Sequence, residues 1–195
     1  MTKNYSNIGY VKLGGYVWKV NAGGNLYVDN VFMKKIHGQL NIMHVSYSQI
    51  NVIFFNLHLL EGELHPDNTT ISTFIAKLRK VLKSKPYNLV RFAYVWVREQ
   101  EKSDVPHYHL ALIVDESRIH YPSKLLETLS SLWAKVSNGG HFSYVSDCYH
   151  IINRGDLSTL GDVIYRISYL GKLRSKGNRE TNTNDYSMSR LKLDA

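Results

Sequence analysis

Two histidines separated by one residue, His107 and His109, lie in the apolar segment HYHLALIVD. In a β-strand alternate side chains project from one face, so both imidazoles would lie on the same side, roughly 6.6 Å apart along the backbone. Two imidazoles so placed can bind one metal ion. The triplet alone is equally well explained as ordinary strand residues, because nine histidines in 195 residues make a chance His-x-His pattern common.

A carboxylate is predicted to join this histidine pair. The segments RFAYVWVREQ and HYHLALIVD flank the polar stretch EKSDVP, which indicates a long antiparallel hairpin with Glu99 on the histidine face. Two nitrogens and one carboxylate leave positions open for water and a phosphate oxygen, which suits Mg²⁺ or Mn²⁺. Glu101 has the same parity but lies nearer the turn, so it is the reserve ligand. The competing interpretation of Glu99 is an edge-strand charge that limits aggregation.

A second group of reactive side chains lies in the segment YRISYLGK. On a helix, Tyr165 and Tyr169 are one turn apart and Lys172 is three residues past Tyr169, so all three would share a face. A tyrosine of ordinary pKa, near 10, is only about 0.1% ionised at neutral pH, which opposes phenolate attack by about 4 kcal/mol. A nearby cation would offset part of that free energy. Because tyrosines on amphipathic helices usually pack, packing is the competing interpretation.

The elements that must position these residues follow from hydrophobic periodicity. Helices are predicted from Asp29 to about Ile50 and in the segments ISTFIAKLRKVLK, SKLLETLSSLWAKV and LGDVIYRISYLGKLRS. Strands are predicted in NVIFFNLHLL, RFAYVWVREQ, HYHLALIVD and FSYVSDCYHIIN. The resulting order predicts an α+β fold with a central antiparallel sheet flanked by helices, which we expect on one side of the sheet.

The chain is predicted to form one domain with an addition at each end. Residues 1–50 are expected to be an N-terminal elaboration packed on the core, and residues 51–176 contain the candidate chemistry. Residues 177–195 form a polar C-terminal tail, which we expect to be mobile or bound to a partner.

Composition restricts the class of protein. With 44% hydrophobic residues the chain can fill a core, and its net charge of +8 favours a polyanionic partner such as nucleic acid or an acidic membrane surface. The single cysteine, Cys148, excludes an intramolecular disulfide. The start, MTKNYSNIGY, lacks the apolar core of a signal peptide, and the most apolar run is too short to cross a bilayer. We therefore expect a cytoplasmic protein without a membrane segment.

Taken together and in order, these residues resemble the HUH superfamily of endonucleases, the rolling-circle replication initiators and their relatives. Three elements carry the resemblance: the apolar strand NVIFFNLHLL, the His-hydrophobic-His pattern in PHYHLALIVD, and Tyr-x-x-Lys in YLGK. VWVREQEKSDVPHYHLAL and ISYLGKLRSK are most similar to the inovirus-type initiators of filamentous phages and prophages. That family usually has a bulky aliphatic residue where this chain has Tyr108, whose side chain should face the opposite side of the strand.

The resemblance implies a sheet that holds a metal ion on the histidine pair, with the catalytic helix beside it. It also implies that Tyr169 nicks one strand of a single-stranded or hairpin origin, remains attached to the 5′-phosphate and leaves a 3′-hydroxyl for a polymerase. Tyr169 has Lys172 three residues later, at the family spacing, whereas Tyr165 has only Ser168 there. Tyr169 is therefore ranked as the nucleophile, and Tyr165 is a candidate second nucleophile or a packing residue. The sequence contains no helicase-type P-loop, so strand unwinding is expected from a helicase of the bacterial host.

The excess positive charge supplies candidates for phosphate contacts. The candidate DNA-binding residues are Lys77, Arg79, Lys80, Arg174, Lys176 and Arg179. A run of charge on a helix is also typical of a solvated face. Two other functions stay open: a transposase or plasmid-transfer relaxase with the same chemistry, and a non-catalytic DNA-binding regulator with packed tyrosines.

Overall fold

A computed structural model describes residues 5–60, 67–100, 105–172 and 184–193. These residues form an α+β architecture around an antiparallel sheet, as the periodicity predicted, and the sheet has five strands where four were predicted. In chain order the elements are β1 (Tyr5–Ser6), β2 (Tyr10–Leu13), β3 (Tyr16–Lys19), β4 (Val28–Asp29), α1 (Asn30–Ser46), β5 (Gln49–His58), α2 (Thr69–Lys83), β6 (Ala93–Glu99), β7 (His107–Asp115), α3 (Ser123–Val136), β8 (His141–Asn153), α4 (Leu157–Leu170) and β9 (Tyr186–Met188).

The strand order in the main sheet is β8-β5-β7-β6-β9, and every neighbouring pair is antiparallel. Helices cover both faces of this sheet: α1 and α4 pack on one face, and α2 and α3 pack on the other. The expectation of helices on one side was therefore wrong. The physical reason is visible in β5, where Ile53 and Phe55 point to one core while Val52 and Phe54 point to the other. A strand with apolar side chains on both faces needs apolar cover on both.

The face covered by α1 and α4, here called the α1/α4 face, includes the N-terminal part of the chain. Helix α1 begins at Asn30 after the N-cap Asp29, whose carboxylate accepts hydrogen bonds from the backbone N–H groups of Val31 (2.8 Å) and Phe32 (3.1 Å). The helix ends at Ser46, so the predicted end near Ile50 was wrong, because residues from Gln49 onward pair as β5. Trp18 of the β2–β3 hairpin is buried in the same core and packs against Gly161 of α4. Residues before β5 thus share one hydrophobic core with the sheet.

The opposite face, here called the α2/α3 face, is closed by large aromatic side chains. Tyr108 of β7 points into it, on the side opposite to His107 and His109, as expected. Trp133 of α3 lies near Tyr108 and Phe74 of α2, and its indole N–H donates to the carbonyl oxygen of His58 at 3.0 Å. This face is a continuous core beneath the strands that carry the histidines.

The C-terminal segment completes the sheet. Strand β9 pairs with β6, with Val97 opposite Tyr186 and Val95 opposite Met188. The expectation of a mobile or partner-bound tail was therefore wrong for residues 184–193. Tyr186 and Met188 pack on the α1/α4 core, and their pairing covers an edge of β6 that would otherwise expose unpaired backbone groups.

No helix within the described residues combines the length and the apolar character needed to cross a lipid bilayer.

Candidate functional site

The register of the β6–β7 hairpin brings a carboxylate and two imidazoles together. Glu99 pairs with His107, and Val97 pairs with His109, so the three polar side chains lie on the α1/α4 face as predicted. Oε2 of Glu99 lies 2.5 Å from Nε2 of His109 and 3.5 Å from Nε2 of His107. One ligand atom from each residue lies within 4.8 Å of the other two, so the cluster could hold a metal ion.

A hydrogen bond to Asn56 sets the orientation of the His109 ring in this cluster. Nδ1 of His109 lies 2.7 Å from Oδ1 of Asn56 on β5, which is an acceptor, so Nδ1 carries a proton. Nε2 of the same ring then faces Oε2 of Glu99. A proton or a cation must lie between these two atoms, and two imidazoles with one carboxylate are a donor set that fits a divalent cation.

Sequence reasoning missed Asn56, because its partner His109 lies 53 residues further along the chain. Asn56 pairs with His109 in the β5–β7 register. The available signal was a polar residue inside the apolar run NVIFFNLHLL. A buried apolar strand tolerates an amide where the amide has a hydrogen-bond partner.

Two further histidines extend the cluster and were also missed. The ring of His58 stacks on that of His107 at 5.3 Å with an interplanar angle of 12°, and His141 lies 5.9 Å from His58 on its other side. Burial, followed by the charges of His107, His141 and His109, lowers the pKa of His58, which favours the neutral form of its ring. These rings come from β5, β7 and β8, and no local spacing in the sequence links them.

Helix α4 places a tyrosine against the histidine cluster. The Tyr169 ring lies 6.2 Å from that of His109, nearly perpendicular to it, and Tyr169 is 44% exposed. The Lys172 ammonium lies 3.5 Å from the centre of the Tyr169 ring. Helix α4 ends at Leu170, before Lys172, so the lysine reaches the ring from the following turn and does not share a helix face with both tyrosines.

Gly171 explains why Lys172 lies there. Its carbonyl oxygen accepts a hydrogen bond from the backbone N–H of Asp29 at 3.0 Å, which ties the end of α4 to the start of α1. A Cβ atom at position 171 would lie 2.9 Å from Cδ1 of Phe32, so a larger residue would force the two helices apart. The close approach therefore requires glycine.

Tyr165 has a different environment from Tyr169. The residue three positions after it, Ser168, is buried, and its hydroxyl donates to the carbonyl oxygen of Tyr165 (2.6 Å) and accepts from the backbone N–H of Asn21 (2.8 Å). Ser168 therefore holds the helix to the N-terminal region. The Lys19 ammonium of β3 lies 5.6 Å from the centre of the Tyr165 ring.

The predicted DNA-binding residues are not brought to this cluster where the structure describes them. Lys77, Arg79 and Lys80 are exposed on α2, which packs on the opposite face of the sheet. Arg174, Lys176, Arg179 and the reserve ligand Glu101 lie outside the described residues.

A basic groove that the sequence did not indicate lies near the start of β6. Its cavity, of about 580 Å³, is lined by residues of α2, β6 and the C-terminal segment. The cationic residues among them are Arg79, Lys83, Arg91, Arg190 and Lys192. Sequence spacing could not predict this groove, because its residues come from two distant parts of the chain. The pairing of β6 with β9 brings residues 187–192 next to α2 and the start of β6.

Comparison with known proteins gives a family for the chain. A dimeric ferredoxin-like protein from an uncultured marine organism is similar in structure at 11% sequence identity, with a TM-score of 0.29 over 54% of this chain and 94% of that one. No curated protein matches the chain significantly. The family model of the YagK/YfjJ C-terminal domain matches residues 18–185, which include α1 to α4 and the histidine and tyrosine cluster, so the chain belongs to that family.

Proposed function

We propose that this protein is a metal-dependent endonuclease and strand-transferase that nicks single-stranded origin DNA and starts rolling-circle replication of a phage or mobile element. The observation that carries the proposal is the position of Tyr169. Its ring centre lies 6.2 Å from the ring centre of His109 and 3.5 Å from the Lys172 ammonium. A tyrosine nucleophile, a lysine cation and a candidate metal site are the groups that transesterification at phosphorus needs.

Five residues have a defined task in this chemistry. Glu99, His107 and His109 would hold Mg²⁺ or Mn²⁺, which supplies positive charge that polarises the scissile phosphodiester. Asn56 would accept a hydrogen bond from Nδ1 of His109 and so leave Nε2 as the ligand atom. The Lys172 ammonium stabilises the negative charge that develops on the Tyr169 phenol oxygen as its proton leaves.

The proposed step is an in-line displacement at phosphorus. The phenol oxygen of Tyr169 forms a bond to the phosphorus of the scissile phosphodiester as the bond from phosphorus to the 3′-oxygen breaks. The phenol loses one proton and the 3′-oxygen gains one, so no net charge is created. The products are a 5′-phosphotyrosine on the protein and a free 3′-hydroxyl, which a host polymerase would extend after a host helicase unwinds the duplex.

The choice of replication over transposition or plasmid transfer rests on the resemblance to inovirus-type initiators. A transposase or relaxase would use the same side chains. A non-catalytic regulator would need neither the metal ligands nor an exposed tyrosine beside them. The net charge of +8 and the basic groove near the start of β6 support DNA as the partner in each case.

The proposal is tested by trapping the covalent intermediate. Purified protein is incubated with Mn²⁺ and single-stranded oligonucleotides tiled across the replicon that encodes it, and adducts are separated on a denaturing gel. We expect an adduct with the wild type and with Tyr165→Phe, and none with Tyr169→Phe or in EDTA. Tyr121→Phe, at a tyrosine that is 71% exposed and remote from the cluster, is the matched control. An adduct formed by Tyr169→Phe at the wild-type level would contradict the nucleophile, and no adduct under any condition would contradict the activity.

A further inference from the structure

A cavity of about 470 Å³ lies beside Tyr169, between α4 and strands β5, β7 and β8. Phe54, Val145 and Leu170 give it an apolar lining, and the two tyrosines of α4, Tyr165 and Tyr169, also line it. Cavities of this size with an apolar lining and a few polar groups are typical of small-molecule sites in proteins.

One wall of the cavity is held in place by Arg166. Its guanidinium lies 4.4 Å from the centre of the Phe54 ring and donates hydrogen bonds to the carbonyl oxygens of Ser146 (2.9 Å) and Asp147 (2.5 Å). Those carbonyls belong to a bulge in β8, where the pairing with β5 shifts register. The bulge bends the strand, and the arginine fixes the bend, so the cavity is formed before any ligand arrives.

The cavity and the candidate nicking site share three residues. His109 and Tyr169 line both, so a group bound in the cavity would lie about one nucleotide from a phosphate that Tyr169 could attack. Asn56, the partner of His109, also lines the cavity and offers an amide to a ligand. A group that suits this place is flat, largely apolar and attached to a polyanion that a protein of charge +8 would attract.

We infer that this cavity binds a nucleobase of the DNA strand next to the scissile phosphate, stacked against the tyrosines of α4. The inference rests on the proposed function for the identity of the strand. It assigns Tyr165 to base binding, with Lys19 placed 5.6 Å from the centre of its ring to meet the adjoining phosphate.

The cavity is tested without nicking, by fluorescence anisotropy in EDTA. The probes are labelled dA, dC and dT 12-mers and an abasic backbone of the same length. We expect the wild type to bind at least one base-bearing 12-mer about 10-fold more tightly than the abasic one. Val145→Phe, which fills the cavity without changing charge, should reduce that preference to about 2-fold or less. Val45→Phe, at a position that is 63% exposed on α1, should keep the wild-type preference.

A cross-linking experiment gives the location independently. The tightest 12-mer is remade with single 5-iodouracil substitutions, irradiated on the wild-type protein and digested for mass spectrometry. Cross-links to Tyr165, Tyr169 or Phe54 support the inference, and cross-links confined to other residues overturn it, even if Val145→Phe fails to fold. An unchanged base preference in a folded Val145→Phe protein also overturns it. A third outcome separates the two proposals. If Val145→Phe loses the base preference but the wild type forms no Mn²⁺-dependent adduct, the base site stands and only the nicking activity is contradicted.

Discussion

The two faces of strand β7 differ most where the histidines lie. His107 and His109 point to the α1/α4 face, where their neighbours are Glu99 and Asn56. The residue between them, Tyr108, points to the α2/α3 face and is fully buried near Trp133. One stretch of three residues therefore serves a polar cluster on one side and a hydrophobic core on the other.

The difference shows how a small domain can keep polar groups within its sheet. A half-buried imidazole or carboxylate lowers stability unless it is paired, and here the three groups contact one another. The aromatic contacts on the opposite face hold β5 and β7 in register while adding no charge to it. Stability and chemistry are therefore separable by mutation.

The largest expected effect on stability comes from the α2/α3 face. Trp133→Ala removes a fully buried side chain and its hydrogen bond to the His58 carbonyl, and should lower the free energy of unfolding by about 3–5 kcal/mol. His109→Ala should change that free energy by less than about 1 kcal/mol, because the side chain is partly exposed, and should abolish Mn²⁺ binding. Urea unfolding followed by circular dichroism and titration calorimetry with Mn²⁺ measure the two effects. A His109→Ala protein that unfolds like Trp133→Ala would contradict the separation.

A smaller effect is expected from Asn56, on the polar face. Asn56→Ala removes the acceptor that holds Nδ1 of His109 and should weaken Mn²⁺ binding by about 10–100-fold. Asn56→Asp keeps an acceptor oxygen there and should restore most of the affinity. Asn153→Ala, at an exposed position near the far end of β8, is the matched control. Equal affinities for Asn56→Ala and wild type in calorimetry would mean that Asn56 does not position His109.

The smallest effect concerns the hydroxyl of Tyr108 and appears only at high pH. Burial raises the pKa of Tyr108 to about 12, above the ordinary tyrosine value near 10. The folded state therefore keeps a proton that the unfolded chain loses, so this contribution to stability is complete below pH 10 and is lost as the pH rises toward 12. Between pH 8 and pH 11 the free energy of unfolding should fall by about 1 kcal/mol more in wild type than in Tyr108→Phe.

Denaturant unfolding at the two pH values measures this difference, with Tyr121→Phe as the control. Tyr121 is 71% exposed, so its substitution should leave the wild-type fall unchanged. An identical fall in wild type and Tyr108→Phe would mean that water reaches the Tyr108 hydroxyl in the α2/α3 core.

Much of the fold and part of the site could be predicted because they depend on local periodicity. Alternation within β7 gave the shared face of His107 and His109, and the predicted pairing of β6 with β7 gave the place of Glu99. The helical stripe of α4 gave the exposed Tyr169. Each of these relations joins residues that are close in sequence, where backbone geometry leaves few alternatives.

The remaining features depend on contacts between distant segments. Asn56 reaches His109 through the pairing of β5 with β7, and His58 meets His141 through the pairing of β5 with β8. The tail strand β9 was missed because its apolar residues are few and its pairing partner, β6, lies far earlier in the chain. Register between distant strands is set by the packing of whole faces, which no short window of sequence contains.

The sequence by itself determined which side chains alternate on each strand and helix, because the backbone repeats of two and 3.6 residues are local properties. Tertiary structure alone decided that Tyr169 lies beside His109 and that Lys172 lies over its ring. That arrangement depends on the close approach of Gly171 to Phe32, where the end of α4 meets the start of α1. The docking angle of a helix is set by side-chain volumes across two elements, so it is established only when both are packed on the same sheet.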